Sequence, residues 1–243
     1  MAFALIGSFI SAMATVLGAV PLMFVNGLSL KWKDILIAFT AGIMVSASIF
    51  GLIPQALSEA NIVSLSIGLL IGIIVLDVME KNIPHINIED NEGTPNFDAK
   101  SILVIAALIL HNIPEGMSTG FSFASENAKL GPIVSVAIGA QNIPEGLILA
   151  VFLLNSKTTK AKAFFIVFLT GLVEVVSAFI GYAAASYISW VISYGLAFAA
   201  GAMLFIVYKE LIPESHGNGY ERVSTYSFII GLLLMIYISH FLG

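Results

Sequence analysis

The 243-residue chain has no cysteine and little charge, since Lys, Arg, Asp and Glu together make up 10% of it. Without cysteine there is no disulfide, no thiolate metal ligand and no cysteine nucleophile. The sequence also has no glycine-rich phosphate-binding loop, so nothing in it indicates ATP-driven chemistry. In contrast, 58% of the residues are hydrophobic and the mean hydropathy is +1.00. This composition excludes an ordinary soluble domain and predicts an integral membrane protein.

Eight apolar runs are long enough to cross a hydrocarbon core of about 30 Å. We therefore predict an all-α integral membrane protein with eight transmembrane helices, forming a single domain over residues 1–243. The predicted spans are Phe3–Phe24, Ile35–Leu57, Ile62–Met79, Ser101–Ala124, Pro132–Leu154, Ala163–Tyr187, Ile188–Ile212 and Ser224–Phe241. The long polar segment 80–100, between the third and fourth spans, is predicted to be a surface loop.

Basic residues indicate which way the chain is oriented. Nine of the ten lie in or beside alternate connections: Lys31, Lys33, Lys81, Lys100, Lys157, Lys160, Lys162, Lys209 and Arg222. Only Lys129 falls on the opposite side. The positive-inside rule then places the connections after helices one, three, five and seven in the cytoplasm, including loop 80–100. We expect a multi-pass protein of the cell membrane with both termini outside. Because no basic residue precedes the first helix, it does not resemble a signal peptide.

An internal repeat relates the second predicted helix to the seventh. Six residues match without a gap: Ala41, Gly42, Met44, Leu52, Ile53 and Pro54 recur as Ala200, Gly201, Met203, Leu211, Ile212 and Pro213. Residues 67–70 of helix three likewise recur as residues 230–233 of helix eight. The related helices run in opposite directions, which predicts an inverted repeat of helices one to three and six to eight, with four and five between them. This arrangement is typical of secondary transporters, whose binding site lies near the midplane.

The sequence Asn-Ile-Pro-Glu-Gly occurs twice, at Asn112–Gly116 in helix four and Asn142–Gly146 in helix five. Proline removes a backbone hydrogen bond and a carboxylate must be kept out of lipid, so the pair is costly in a membrane helix and indicates a function. His111 precedes the first copy. It lies four residues before Glu115, so both side chains project from one helical face and could hold the same ion.

Helix five contributes Gln141, Asn142 and Glu145 in the second copy, and helix six carries Glu174 in an apolar run. An ionised carboxylate left unpaired at this depth costs on the order of 3 kcal/mol or more, and these spans contain no Lys or Arg to neutralise it. A divalent cation, sometimes exchanged for protons, is the simplest partner. Imidazole, carboxylate and amide ligands suit Zn²⁺, with Cd²⁺, Fe²⁺, Mn²⁺ and Co²⁺ as neighbours. A single histidine is unlike a closed structural zinc site, so the ion could be released.

At these residues the chain resembles the ZIP family of divalent metal transporters, and within it the bacterial GufA-like branch. The resemblance covers the whole chain and rests on HNIPEG followed by QNIPEG in an eight-helix frame. It implies a transport site with these residues: His111, Asn112, Glu115, Gln141, Asn142, Glu145 and Glu174, with Met44 as a further ligand. It also implies a two-metal centre and a cytoplasmic release route past Asp77 and Glu210.

The same resemblance implies an importer that moves metal by an elevator-type motion. Helices one, four, five and six would carry the ion past a scaffold of helices two, three, seven and eight. A homodimer in the lipid bilayer is expected, with the metal as substrate rather than cofactor and no nucleic-acid partner. Three positions depart from the family pattern. Some relatives have Asp in the place of Asn142, several have His in the place of Gln141, and a histidine known in relatives is replaced here by Lys209. The number of metals bound at once is therefore left open.

Two other functions are compatible with a buried cation site. An intramembrane metal-dependent hydrolase would use the cluster to activate water, and a metal sensor would bind the ion without moving it. The hydrolase reading lacks a His-Glu-x-x-His motif and has one histidine at depth. Because the doubled motif implies two matched halves, the sequence favours a carrier that is not an enzyme.

Overall fold

The computed structural model describes residues 2–23, 28–81, 97–156, 158–188 and 190–242. Within these ranges the chain forms helices and no strand, which confirms the predicted all-helical fold. The long helices are α1 Ala2–Ala19, α2 Leu30–Glu59, α3 Ile62–Lys81, α4 Phe97–Ala124, α5 Leu130–Asn155, α6 Lys160–Tyr187, α7 Val191–Ser215 and α8 Glu221–Leu242. A short 3₁₀ turn, Val20–Met23, continues α1.

Seven of these described helices are long and apolar enough to cross a membrane, which confirms an integral membrane protein. The remaining one is α4, which is 28 residues long but carries His111, Asn112 and Glu115 near its middle. Its crossing of the bilayer stays a prediction. Helix α3 ends at Lys81 and α4 begins at Phe97, so both helices include end residues of segment 80–100, and the loop itself stays a prediction. Residues 82–96 of that loop lie outside the described residues.

The helices α2 and α7 each contain a π-helical turn at corresponding places. These turns are Ala47–Leu52 in α2 and Val207–Leu211 in α7, followed by Pro54 and Pro213. Proline lacks an N–H and its ring crowds the carbonyl four residues earlier, which in both helices falls inside the wide turn. The matching sequences of helices two and seven therefore produce the same local backbone.

The helices pack closely in four parallel pairs: α1 with α5, α4 with α6, α2 with α8 and α3 with α7. Glycines make this approach possible, because small residues allow the backbones of membrane helices to touch. A Cβ added to a glycine in each interface would lie 1.9–2.3 Å from a carbonyl oxygen of the partner helix: Gly146, Gly116, Gly42 and Gly201. The two Asn-Ile-Pro-Glu-Gly segments thus lie on α4 and α5, each held against a different neighbour.

Candidate metal centre

Five of the predicted site residues are buried together where α4, α5 and α6 meet. None is more than 2% exposed: Asn112, Glu115, Gln141, Asn142 and Glu174. Pro114 and Pro144 lie inside continuous α-helix at this level, and proline leaves the carbonyl four residues earlier without its helical partner. The centre is therefore rich in oxygen acceptors and closed to solvent.

Each buried carboxylate is tied to an amide of α5 through one of its oxygens. Gln141 donates from Nε2 to Glu115 Oε1, and Asn142 donates from Nδ2 to Glu174 Oε2 at 2.7 Å. In the described part of the chain, no three His, Cys, Asp or Glu side chains are close enough to hold a metal ion by themselves. The amides between the carboxylates explain this, because each carboxylate turns toward α5 rather than toward another acid.

The other oxygen of each carboxylate and the single oxygen of each amide have no hydrogen-bond partner. Four buried acceptors are in this state: Glu115 Oε2, Gln141 Oε1, Asn142 Oδ1 and Glu174 Oε1. A buried polar atom left unpaired costs about 1–3 kcal/mol, so such atoms are rare unless something else satisfies them. Carboxylate and amide oxygens are acceptors that a hard or borderline cation can satisfy together. The arrangement can therefore bind a positive ion.

Both asparagines of the repeated motif are anchored to a neighbouring helix by their amide nitrogen. Asn112 donates to the backbone oxygen of Thr170 in α6 at 2.7 Å. Asn142 donates to the backbone oxygen of Ser11 in α1 at 3.1 Å. An amide held by its nitrogen has its oxygen fixed as well, since the two ends of the group cannot be exchanged without losing the bond.

The glycines of the two motifs follow the same register. A Cβ on Gly116 would lie 2.2 Å from the backbone oxygen of Glu174, and one on Gly146 would lie 1.9 Å from that of Thr15. In each case the contacted residue is four positions after the one that anchors the asparagine. The two motif segments therefore make equivalent contacts with α6 and α1. The equivalence ends at the side chains, because α6 has a glutamate where α1 has a threonine.

His111 and Glu145 face a cavity of about 410 Å³ rather than the closed centre. His111 Nε2 lies 3.0 Å from Glu210 Oε2 of α7, so its ring contacts a helix outside the closed centre. The cavity continues to Lys33 and Glu214, whose Nζ and Oε1 atoms are 2.8 Å apart. Its far end thus lies beside the connections that the distribution of basic residues assigns to the cytoplasm.

Two other predicted residues have no described hydrogen bond or ion pair to these groups. Met44 is 1% exposed and belongs to the apolar core with Leu196 and Met203. Asp77 is paired with Lys81, and its Oδ1 lies 3.8 Å from Lys209 Nζ. The lining of the cavity includes Glu210 but not Asp77. The metal-binding role of Met44 and the exit role of Asp77 stay predictions.

The anchoring residues Ser11 and Thr170 are absent from the predicted site. Both are bonded through their backbone oxygens, which every residue has, and Ser11 is bonded through its hydroxyl as well. No side-chain pattern common to the two residues therefore identifies them. The only signal in the sequence is that a buried amide in a membrane helix needs an acceptor on a neighbouring helix. That signal does not tell which helix supplies the acceptor.

A family model described as ZIP zinc transporter matches residues 81–239. The chain belongs to the ZIP zinc transporter family. ZIP proteins are transporters, which confirms that the chain is not an enzyme, and they move zinc as a substrate rather than holding it as a cofactor.

Curated ZIP relatives match along nearly the whole chain. It is 35% identical over 254 residues to "Zinc transporter GufA" of Myxococcus xanthus, covering 100% of both chains. It is 30% identical over 261 residues to "Zinc transporter ZIPB" of Bordetella bronchiseptica, covering 99% of this chain and 82% of that one. It is 28% identical over 270 residues to "Zinc transporter ZupT" of Clostridium perfringens, covering 97% and 93%. The predicted resemblance to the ZIP family and its GufA-like branch is confirmed.

Proposed function

We propose that the protein moves divalent transition-metal cations into the cytoplasm, with Zn²⁺ as the first substrate and Cd²⁺, Fe²⁺ and Mn²⁺ as further ones. The observation that carries the proposal is the set of four buried, unpartnered oxygens on Glu115, Gln141, Asn142 and Glu174. No Lys or Arg side chain is present in this part of α4, α5 and α6 to satisfy them. A divalent cation bound among them would neutralise charge and satisfy the acceptors together.

The anchoring of the site supports reversible binding. Asn112 and Asn142 are held by backbone oxygens of α6 and α1, so their amide oxygens are oriented before the ion arrives. Glu115 and Glu174 are hydrogen-bonded to amides, and those bonds compete with the metal for the same carboxylates. Such competition weakens binding compared with a closed structural site, and a transporter needs an ion that it can release.

The cavity beside the site supports release toward the cytoplasm. His111 lies on its wall and contacts Glu210 of α7, and Glu145 lies on the same wall. A metal leaving the buried oxygens would meet an imidazole and two further carboxylates on the way out. Met44 and Asp77 have no described hydrogen bond or ion pair to these groups, so the ligand role of Met44 and the exit role of Asp77 are proposed from the family resemblance alone.

The helix pairing supports alternating access. If α1 is exchanged with α6 and α4 with α5, the pair α1–α5 becomes the pair α6–α4. If α2 is exchanged with α7 and α3 with α8, the pair α2–α8 becomes α7–α3. This is the pattern of an inverted repeat, and it separates α1, α4, α5 and α6 from α2, α3, α7 and α8. We propose eight crossings with both termini outside, an elevator-type motion of the first group against the second, and, from the family resemblance, a homodimer in the cell membrane.

Metal flux into liposomes that contain the purified protein tests this function. We expect Zn²⁺ and Cd²⁺ uptake by the wild type, measured with and without a pH gradient. Glu115→Ala and Glu145→Ala should each reduce uptake by about 10- to 100-fold, the range seen when a group supporting a metal site is lost. Glu221→Ala, which removes a carboxylate at the exposed start of α8, is the matched control.

Zinc uptake at the wild-type rate by Glu115→Ala or Glu145→Ala would show that the site is assigned wrongly. Saturable zinc binding without any flux would favour the sensor. Family membership argues against the hydrolase. Only metal-dependent cleavage of a lipid or peptide, found together with no metal flux, would favour the hydrolase again.

A further inference from the structure

Both N–H groups of Asn142 are used in hydrogen bonds, and α1 supplies the acceptors for one of them. Asn142 Nδ2 lies 2.7 Å from Glu174 Oε2, 3.1 Å from the backbone oxygen of Ser11 and 3.3 Å from Ser11 Oγ. If the amide were reversed, its oxygen would face the Glu174 carboxylate and the Ser11 backbone oxygen, which only accept, and would be repelled by both. The observed orientation leaves Asn142 Oδ1 buried and without a partner.

The hydroxyl of Ser11 differs from the comparable hydroxyls around it. Buried serines and threonines in helices commonly donate to a carbonyl of their own helix. Ser8 does so, with Oγ donating to Leu5 at 3.2 Å, and Thr170 does so, with Oγ1 donating to Val167 at 2.9 Å. Thr170 therefore contacts Asn112 only through its backbone oxygen. In α1, by contrast, Asn142 donates both to the backbone oxygen of Ser11 and to its hydroxyl oxygen.

We propose that Ser11 is a positioning residue of the metal site, whose hydroxyl and carbonyl oxygens together aim Asn142 Oδ1 at a divalent cation. This inference rests on the proposed function and adds α1 to the elements that build the site. Ser11 touches Asn142, and its hydroxyl also lies within hydrogen-bonding reach of the Glu174 carboxylate. The proposed effect on the ion is the one that it exerts through the amide. Loss of the hydroxyl removes one of two acceptors on α1, so the amide keeps the carbonyl bond but rotates more freely around it.

Zinc binding to the purified full-length protein, measured by titration calorimetry, and zinc flux in liposomes test this role. Ser11→Ala should raise the zinc Kd and the KM of flux by about 2- to 10-fold, the ratio that corresponds to one hydrogen bond, with little change in maximal rate. Ser11→Thr keeps the hydroxyl and should restore wild-type values. Ser8→Ala removes an equally buried hydroxyl of the same helix that bonds only within α1, and it should change nothing.

A double-mutant cycle separates positioning from a general packing effect. Because Ser11 acts through the amide, Ser11→Ala should have no further effect on zinc affinity once Asn142→Ala is present. Equal zinc affinity in Ser11→Ala and Ser8→Ala, or independent effects of Ser11→Ala and Asn142→Ala, would overturn the proposal. If Ser11→Ala does not fold, Ser11→Val replaces it, since valine has the shape of threonine without a hydroxyl, and Ser11→Val should bind zinc more weakly than Ser11→Thr.

The wild-type measurement distinguishes this inference from the function on which it rests. Wild-type protein that neither binds nor moves zinc or cadmium overturns both. Wild-type protein that does so, with Ser11→Ala indistinguishable from it, overturns only the role of Ser11.

Discussion

At the residue scale, the amides of α5 determine the charge of the centre. Gln141 and Asn142 are neutral groups placed between the buried carboxylates Glu115 and Glu174. An amide can donate to a carboxylate and still offer its oxygen to a cation, whereas an acid in the same place would add a negative charge and no donor. A centre with this charge suits one divalent ion better than two. Asn142 is therefore the residue that we expect to limit the site to a single metal.

Asn142→Asp should raise both zinc affinity and stoichiometry. The new carboxylate loses the donors to Glu174 and Ser11 and is repelled by Glu174 in the empty site, and a bound cation relieves that repulsion. We expect about tenfold tighter binding, the ratio for 1.4 kcal/mol, and a rise from one zinc to two in calorimetry and metal analysis. Asn61→Asp adds the same charge at the exposed start of α3, where an aspartate can still accept from the helix amides, and should leave zinc binding unchanged. One zinc per chain at unaltered or weaker affinity in Asn142→Asp would contradict this account.

At the scale of the helices, close approach holds the site together. The α1–α5 interface brings Asn142 within reach of Ser11 only because Gly146, one turn later, lets the backbone of α5 touch Thr15. In the α4–α6 interface, Gly116 likewise lets the two backbones touch, which brings Asn112 within reach of Thr170. A membrane interior provides little hydrophobic drive for two helices to meet, so tight packing and interhelical hydrogen bonds provide it instead.

Gly146→Ala should separate α1 from α5 and weaken both stability and transport. The added Cβ would lie 1.9 Å from the backbone oxygen of Thr15, which forces the helices apart, and overpacking of this kind costs about 1–3 kcal/mol. Gly139→Ala is the control on the same helix, since its Cβ would meet α1 atoms at an ordinary 3.7 Å. Thermal unfolding in detergent and zinc flux measure the two effects. Equal melting temperatures and fluxes for the two variants would refute the role assigned to Gly146.

At the scale of the whole molecule, the two groups of helices are joined differently on the two sides of the site. On one side a cavity separates α4 and α5 from α2 and α7. On the other side Asn127, between α4 and α5, donates to Gln55 Oε1 of α2 at 3.3 Å, and the Glu126 N–H donates to Glu59 Oε1 at 3.2 Å. The described conformation is thus open toward the predicted cytoplasmic side and closed on the other. Movement between the groups must break the Gln55–Asn127 contact.

Cross-linking across that contact should stop transport. The chain has no cysteine, so Gln55→Cys with Asn127→Cys introduces the only two thiols, and a short thiol cross-linker should join them. We expect zinc flux to fall to background after cross-linking and to recover when a cleavable linker is reduced. Glu80→Cys with Lys209→Cys joins two residues of the same group, paired at 2.5 Å, and should leave flux intact. Unchanged flux in fully cross-linked Gln55→Cys and Asn127→Cys protein would rule out motion between these groups.

Much of the fold follows from local sequence. The positions of the membrane helices were predicted within a few residues, because an apolar run of bilayer length has few alternatives to a helix. The errors lie at helix ends, where hydropathy is a weak guide. The predicted seventh span begins at Ile188, for example, but this residue caps α6 in an extended conformation and α7 begins at Val191. The π-helical turns before Pro54 and Pro213 were not predicted either, although the missing N–H and the bulky ring of proline explain them.

The sequence by itself determined the class of the protein, its helices and the residue types that could bind a cation, because composition, run length and a repeated motif are local properties. Tertiary structure alone decided that Asn142 is anchored on Ser11, that His111 contacts Glu210 and that Met44 lies in the apolar core. The physical reason is that apolar helix faces look alike whether they meet lipid or another helix. Which helices meet is decided by glycine contacts and interhelical hydrogen bonds between residues far apart in the chain.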